Sequence, residues 1–177
     1  MKREGNNRIV LITGDGKGKT TAALGMVLRA VGHGLRVCVI HFIKKRTDTG
    51  EARALSLLPG VEAHLCGEGF LLPGSCASRN SHRQAAEAGL ELARQRLVSP
   101  ECDVVVLDEV CGAVALGLLE AQAVCEAIRS ATPGKVIVVT GRDAAPELVA
   151  LADTVSRIDC VKHGMNSGWP AQKGVEL

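Results

Sequence analysis

The segment from Ile9 to Thr21 constrains the fold more than any other part of the chain. It reads IVLITGDGKGKTT, which is four branched apolar residues, a stretch with three glycines, and then Lys-Thr-Thr. The apolar run is typical of a strand buried on both faces of a parallel sheet, and the residues after Lys19 are typical of a helix. We therefore predict a strand, a glycine-rich loop and a helix, the order found in a phosphate-binding loop.

Each residue type in this loop has a physical reason. Glycines leave room for backbone N–H groups to face phosphate oxygens, and the helix N-terminus favours the same anion. Lys19 would contact the terminal phosphates, and the Thr20 hydroxyl would bind Mg²⁺. The strict pattern has a further glycine where this chain has Thr13, so a glycine-rich turn that carries two lysines is the alternative. The glycines are Gly14, Gly16 and Gly18.

Composition narrows the class of protein. A length of 177 residues with 46% hydrophobic content favours one globular domain spanning residues 1–177. The net charge is only +2, so nothing requires a nucleic-acid partner or a membrane surface. Because no apolar run reaches the roughly 18–20 residues of a membrane span and no secretory segment precedes the first strand, we expect a cytoplasmic protein. Seven cysteines without Cys-x-x-Cys spacing favour buried thiols over disulfides or a zinc knuckle.

The remaining apolar segments predict a doubly wound α/β fold with a mostly parallel sheet and helices on both faces. We expect strands at 36–42, 61–65, 102–107, 135–140 and 154–158, and helices at 19–31 and 119–130. A capping box at Ser81 predicts a helix from there to Ser99, with His82 exposed in its first turn. Asp143 should cap a final helix that contains Pro146.

Candidate site residues follow several strands at the edge where ligands of open α/β sheets bind. Asp108 and Glu109 end an apolar strand and suit a magnesium-triphosphate site, although two exposed acids are the alternative. Arg142 is a candidate phosphate clamp, with a salt bridge as its alternative. Lys44 follows another strand and lies in a basic loop that is either a phosphate contact or solvated. Phe70, on a glycine-rich segment, would form either a wall against a flat ligand or part of the core.

The ordered set of motifs resembles the P-loop class of ATP:cob(I)alamin (corrinoid) adenosyltransferases from about residue 8 to the end of the chain. The segments that carry this resemblance are TGDGKGKTTAA at 13–23, RAVGHG at 29–34, FIK at 42–44, Gly69-Phe70, VLDE at 106–109, TGR at 140–142, LADTVS at 151–156 and VKH at 161–163.

This resemblance implies a RecA-like fold, a homodimer, and transfer of the 5′-deoxyadenosyl group of MgATP to a corrinoid Co(I) with release of triphosphate. It implies that ATP and Mg²⁺ are bound, that the corrinoid is a substrate, and that a flavoprotein reductant is a candidate partner. Phe70 would lie beside the corrin, where it excludes the lower axial ligand, and Lys19 and Arg142 would assist the reaction. The magnesium residues would be Thr20, Asp108 and Glu109. The nucleotide residues would be Gly14, Asp15, Gly16, Lys17, Gly18, Lys19, Thr20, Thr21, Arg29 and Lys44.

The chain departs from the family pattern at two places. Leu71-Leu72 follows Phe70 where the pattern has Thr-Trp, and His41 stands where glutamine is familiar. His41 could contact the nucleotide or the corrin, or pack at the end of its strand. The choice among cobalamin, cobinamide and an a,c-diamide precursor stays open. Two other activities also remain, a P-loop ATPase or regulatory module and a small-molecule kinase.

Overall fold

A six-stranded sheet of parallel strands forms the centre of the computed structural model, which describes residues 6–45, 49–69 and 76–175. The strands lie in the order β3-β2-β4-β5-β1-β6. Parallel order brings the carboxyl ends of all six strands to one edge of the sheet. Their bounds are β1 Arg8–Thr13, β2 Val37–His41, β3 Val61–Leu65, β4 Val104–Asp108, β5 Val136–Thr140 and β6 Thr154–Arg157.

Six α-helices connect or flank these strands in the described part of the chain. They are α1 Lys19–Gly32, α2 Gly50–Ser56, α3 Cys76–Val98, α4 Val110–Ala115, α5 Ala121–Arg129 and α6 Pro146–Leu151, and a 3₁₀ turn follows at Gly164–Ser167. None of the helices described is long and apolar enough to cross a membrane.

The strands bury alternate residues in two separate cores. In β4, Val105 and Leu107 pack in the core beneath α3 and α5, while Val104 and Val106 pack in the core beneath α1 and α2. Successive side chains of a strand point to opposite faces of the sheet. Because both faces of β4 are buried, its sequence is a continuous apolar run and does not alternate between apolar and polar residues. The two layers of helices confirm the predicted doubly wound fold.

Helix boundaries are where the sequence predictions failed. The helix predicted to start at Ser81 begins at Cys76, so the proposed capping box lies inside α3, and His82 is buried rather than exposed. Asp143 does not cap α6, because Ala145 is the N-cap residue and Pro146 occupies the first turn. Helices α2 and α4 were not predicted from the sequence. Both are short, at seven and six residues, so neither shows a full amphipathic period.

We predict that two glycine-to-alanine substitutions change stability in opposite directions. Gly14 has φ +101°, and a Cβ there would lie 2.4 Å from the carbonyl oxygen of Ile158. Gly14→Ala should lower the free energy of unfolding by about 2–3 kcal/mol because the strained backbone must move. Gly25 is exposed within α1 and has open space around it, so Gly25→Ala should raise that free energy by about 0.5–1 kcal/mol.

Urea denaturation measures both effects, and Gly25→Ala is the matched control for a methyl group added to a glycine. An unchanged urea midpoint for Gly14→Ala would contradict the close approach of Gly14 to the Ile158 carbonyl.

Candidate active site

Polar residues end three neighbouring buried strands and meet at the carboxyl edge of the sheet. His41 ends β2, Asp108 ends β4 and Thr140 ends β5. All three are at most 3% exposed, although the strands before them are almost wholly apolar. Polar groups this deeply buried require partners. They find them in one another and in Thr20, the second residue of α1.

The Asp108 carboxylate is the centre of this network. Its Oδ1 accepts hydrogen bonds from the hydroxyls of Thr20 and Thr140, both at 2.8 Å. Its Oδ2 lies 2.8 Å from His41 Nδ1 and 3.8 Å from the Lys44 ammonium. Burial alone would raise the pKa of Asp108, but the hydrogen bonds from His41 and Thr140 and the charge of Lys44 hold it below its ordinary value. Because an ionised carboxylate only accepts, Nδ1 of His41 carries the proton of their bond.

The glycine-rich loop encloses the side chain of Lys19. Lys19 is the first residue of α1 and is 7% exposed, and its ammonium donates a 2.8 Å hydrogen bond to the Gly16 carbonyl of the loop. Burial lowers the pKa of Lys19, and the nearby Glu109 carboxyl opposes that shift. A cation held inside a loop at the start of a helix is a favourable place for a polyanion.

Close packing against the end of β6 explains two of the loop glycines. A Cβ on Gly16 would lie 2.7 Å from the Asp159 carbonyl oxygen and 2.8 Å from that of Ile158. The Gly16 amide donates a 2.8 Å hydrogen bond to the Ile158 carbonyl. In this structure the Gly16 amide is therefore directed at the segment that follows β6. Gly14 and Gly16 are small because the chain after β6 passes directly beside them.

Glu109 has a different environment from Asp108, although the two are adjacent. Its backbone is left-handed, with φ 63°, and its N–H donates a 2.9 Å hydrogen bond to the Thr140 hydroxyl. Burial raises the pKa of Glu109, and the negative charge of Asp108 raises it further. The side chain lies over the first turn of α4, where a Cβ on Gly112 would be 2.8 Å from its Oε1. Of the two predicted acids, Asp108 is therefore the one bonded to Thr20.

Comparison with known proteins decides the family. The family model described as ATP:corrinoid adenosyltransferase BtuR/CobO/CobP matches residues 6–177. The chain belongs to this adenosyltransferase family. It is 40% identical to a corrinoid adenosyltransferase of Pseudomonas aeruginosa over 99% of this chain and 86% of the relative. It is 38% identical to the corrinoid adenosyltransferase CobA of Salmonella typhimurium, over 95% of this chain and 84% of the relative.

Solved structures confirm the fold of this adenosyltransferase family member. The flagellar accessory protein FlaH of Methanocaldococcus jannaschii superposes with a TM-score of 0.52 at 11% identity, covering 87% of this chain and 72% of FlaH. A KaiC-like protein of Pyrococcus horikoshii superposes with a TM-score of 0.50 at 15% identity, covering 88% of this chain and 72% of its own. At these identities the likeness shows the RecA-like P-loop fold alone.

The structure brings some predicted site residues of this adenosyltransferase together and separates others. Lys44 lies between two carboxylates, with its ammonium 2.7 Å from Glu51 and 3.8 Å from Asp108. Arg142 has an exposed side chain, and its backbone N–H is 3.5 Å from Glu109 Oε1. The loop residues with exposed side chains are Asp15, Lys17 and Thr21.

The structure places Arg29 away from the glycine-rich loop. Arg29 is exposed in the last turn of α1, ten residues or about 15 Å along the helix from Lys19. The position of Arg29 therefore does not support the predicted contact with a nucleotide bound at the loop of the same chain. Phe70, the predicted corrin contact, lies outside the described residues.

The sequence did not predict that His41 and Thr140 bond to Asp108 in the candidate site. The sequence contains a signal for both residues, because each is the polar last residue of an otherwise apolar strand. Parallel strands align such ends, and His41 is the direct register partner of Asp108. His41 packs at the end of its strand, one of the two states that the sequence allows, and its partner there is Asp108.

We predict that amide substitutions at the two adjacent acids act oppositely on stability. A carboxyl whose pKa is raised on folding contributes stability that is full below its ordinary pKa and is lost as the pH rises through the folded value. Removing its charge should therefore help at neutral pH. Glu109→Gln should raise the melting temperature at pH 7 and leave it unchanged below about pH 4.5, the ordinary glutamate value.

Asp108→Asn is the matched comparison. Its lowered pKa means that the ionised form adds stability above the ordinary value of about 3.8, and that this stability is lost as the pH falls through the folded value. Asp108→Asn should therefore lower the melting temperature at pH 7. Scanning calorimetry from pH 4 to pH 8 measures both, and a Glu109→Gln protein that melts below the parent at pH 7 would refute this account of Glu109.

Proposed function

We propose that this protein transfers the 5′-deoxyadenosyl group of ATP to the Co(I) ion of a corrinoid and releases triphosphate. The observation that carries the proposal is the pairing of the enclosed Lys19 ammonium with the Thr20–Asp108 hydrogen bond at one edge of the sheet. Membership of the adenosyltransferase family over residues 6–177 supports the choice of reaction. The chain would be one catalytic domain that uses ATP as cosubstrate.

The phosphate loop would bind the triphosphate both as part of the substrate and as the leaving group. Co(I) attacks the ribose C5′ with its electron pair, the cobalt–carbon bond forms as the C5′–O bond breaks, and the departing oxygen takes the bonding electrons. Cobalt is oxidised formally to Co(III). Because Co(I) is itself the nucleophile, the protein needs no catalytic serine or cysteine, and its task is to align the reactants and stabilise the leaving group.

Lys19 is the residue best placed to stabilise that leaving group. Its ammonium lies inside the loop and bonds to a neutral carbonyl, and a phosphate oxygen would replace that bond with one in which donor and acceptor are both charged. The exposed residues Lys17, Thr21 and Arg142 would contact the outer phosphates. Gly14, Asp15 and Gly18 would give the loop its shape beside them.

The residues around Asp108 fit a magnesium ion. Mg²⁺ prefers hydroxyl, carboxylate and water oxygens and keeps several of its waters. Thr20 offers a hydroxyl oxygen, Asp108 offers an ionised carboxylate, and Glu109 offers a second carboxyl nearby. Asp108 already accepts two hydroxyls on Oδ1, so we propose that it orients Thr20 and metal-bound waters rather than binding the metal alone. The ion would neutralise charge on the triphosphate.

Further parts of the proposal come from the family. Phe70 would lie against the corrin and displace its lower axial ligand, which makes Co(II) easier to reduce. The enzyme would be a cytoplasmic homodimer that receives electrons from a flavoprotein, and sedimentation equilibrium would measure the dimer. Lys44, held beside Asp108 and Glu51, would contact the nucleotide phosphates.

We predict that the protein, given MgATP and chemically reduced cobalamin, produces an adenosylated corrinoid and triphosphate in equal amounts. Lys19→Ala should lower turnover by about 10²–10³-fold, because a donor aimed at the developing charge is lost. Chromatography of nucleotides and the absorbance of the cobalt–carbon product measure both results. Lys173→Ala, which removes an exposed lysine from the tail, is the control and should retain activity.

Two sets of products would contradict the proposed reaction, and one result would contradict the role of Lys19. ADP and phosphate without an adenosylated corrinoid would indicate an ATPase. Phosphorylation of a small molecule would indicate a kinase. An unimpaired Lys19→Ala enzyme would remove the loop lysine from the mechanism.

We predict that Phe70→Ala slows the reduction of enzyme-bound Co(II) more than it slows adenosyl transfer to preformed Co(I). The reason is that an apolar side chain against the corrin would favour four-coordinate Co(II), whereas transfer needs only the aligned nucleotide. Electron paramagnetic resonance reports the fraction of four-coordinate Co(II), and the assay with preformed Co(I) serves as the internal control. Equal losses in both assays would count against the role of Phe70 in displacing the axial ligand.

A further inference from the structure

A thiol, a carboxylate and an imidazole converge on the sheet away from the phosphate loop. They belong to Cys38 of β2 and to Glu62 and His64 of β3, and their ligand atoms all lie within 4.8 Å of one another. The register explains this convergence. Cys38 is the direct partner of Glu62, and His64 lies two residues further along the same face of β3.

A cavity adjoins this cluster at Glu62. It has a volume of about 490 Å³ and lies at the amino ends of β2, β3 and β4, which is the edge of the sheet opposite the phosphate loop. Glu62 lines both the cavity and the cluster. The residues around the cavity include Arg36, Gly60, Glu62, Arg96, Glu101 and Cys102.

Arg96 of α3 fixes the orientation of the Glu62 carboxylate. Arg96 Nε is 2.6 Å from Glu62 Oε1, and its Nη2 donates a 3.0 Å hydrogen bond to Oε2. Only the Nη2 contact is a hydrogen bond, because Arg96 Nε, like His64 Nε2, has no hydrogen-bond partner among the described residues. A carboxylate has about four lone-pair positions, so Arg96 does not saturate Glu62. Carboxylate ligands of metals are commonly oriented by such a second hydrogen-bonding partner.

The ion pair between Arg96 and Glu62 does not explain the position of His64. Its imidazole is about one-third exposed, but its Nε2 atom is buried and has no hydrogen-bond partner among the described residues. Nε2 lies 3.3 Å from Glu62 Oε2, outside hydrogen-bonding geometry. A buried imidazole nitrogen without a hydrogen-bond partner, 3.3 Å from a carboxylate and in one cluster with a thiol, is available as a metal ligand.

We propose that Cys38, Glu62 and His64 form a binding site for a divalent transition metal of the Zn²⁺ class, with the cavity supplying water as the fourth ligand. A mixed sulfur, nitrogen and oxygen set suits Zn²⁺ and Co²⁺ and disfavours Mg²⁺ and Ca²⁺. Tetrahedral zinc bonds imply ligand separations of about 3.4–3.6 Å, so the cluster must contract by about 1 Å. The Cys38 thiol would lose its proton to solvent as the metal–sulfur bond forms.

Burial and the nearby Glu62 charge raise the pKa of Cys38, so the thiol is protonated at neutral pH without a metal. Binding should therefore release about one proton per ion and weaken as the pH falls. Neither effect depends on the phosphate loop or on the corrinoid reaction.

The test is a titration of the full-length protein, stripped of metal with a chelator, with Co²⁺ as the spectroscopic probe. We expect one equivalent to produce a thiolate-to-cobalt charge-transfer band and intense visible bands of tetrahedral Co²⁺. Cys38→Ser should abolish the charge-transfer band, and His64→Gln should weaken binding at least tenfold. Cys125→Ser removes a buried thiol of α5, and Cys160→Ser removes an exposed one, so both should retain the band.

A second measurement keeps the test decisive if Cys38→Ser fails to fold. Zn²⁺ should raise the melting temperature of the parent and of Cys125→Ser but not of His64→Gln, because a ligand that binds the folded state stabilises it. Absence of a charge-transfer band in the parent would overturn the proposal. The proposal would also be overturned if the charge-transfer band persisted in folded Cys38→Ser, or if it were lost only in Cys160→Ser. In either case the metal would be bound by an adventitious thiol.

Discussion

One buried carboxylate holds the two halves of the candidate active site in register. Asp108 accepts hydrogen bonds from Thr20 at the start of α1, from Thr140 at the end of β5 and from His41 at the end of β2. β5 lies between the strand of Asp108 and the strand that leads into the phosphate loop, so these bonds span three strand ends and a helix. A charge this deeply buried is tolerated only because its partners are fixed in place. The loop and the acidic strand end therefore cannot shift independently.

The same edge of the sheet keeps two adjacent carboxyls in different chemical states. Asp108 is the last residue of β4, and its side chain accepts the hydrogen bonds of the network. Glu109 has a left-handed backbone conformation, and its side chain does not join those bonds. Hydrogen bonds hold the pKa of Asp108 down, and burial beside Asp108 holds that of Glu109 up. One group is thus a fixed negative charge, and the other is more readily neutralised. This division matters for the proposed reaction, in which the site would accept several phosphate charges and later release them.

The sequence was sufficient for the parts of the fold that local patterns determine. The apolar runs located the six strands, and the glycine-rich loop located Lys19 and Thr20. What could not be derived depended on contacts distant in sequence. His41 was a lone polar residue until the register paired it with Asp108, and His82 was assigned to an exposed first turn because nothing local showed that α3 begins at Cys76. In the motif, the three glycines indicate a loop whose backbone can approach phosphates. In the structure, Gly16 also contacts a segment 142 residues later in the chain, where its amide donates a hydrogen bond to the Ile158 carbonyl.

That last bond has a mechanical consequence. β6 is the outermost strand beside β1, all four of its residues are exposed, and its continuation at Ile158 and Asp159 supports the glycine-rich loop from the side. The curvature of the loop is therefore set partly by the least protected strand of the sheet. A truncation, a fused tag or a bound protein that pulls on the carboxyl-terminal segment would deform the glycine-rich loop without touching a residue of the motif.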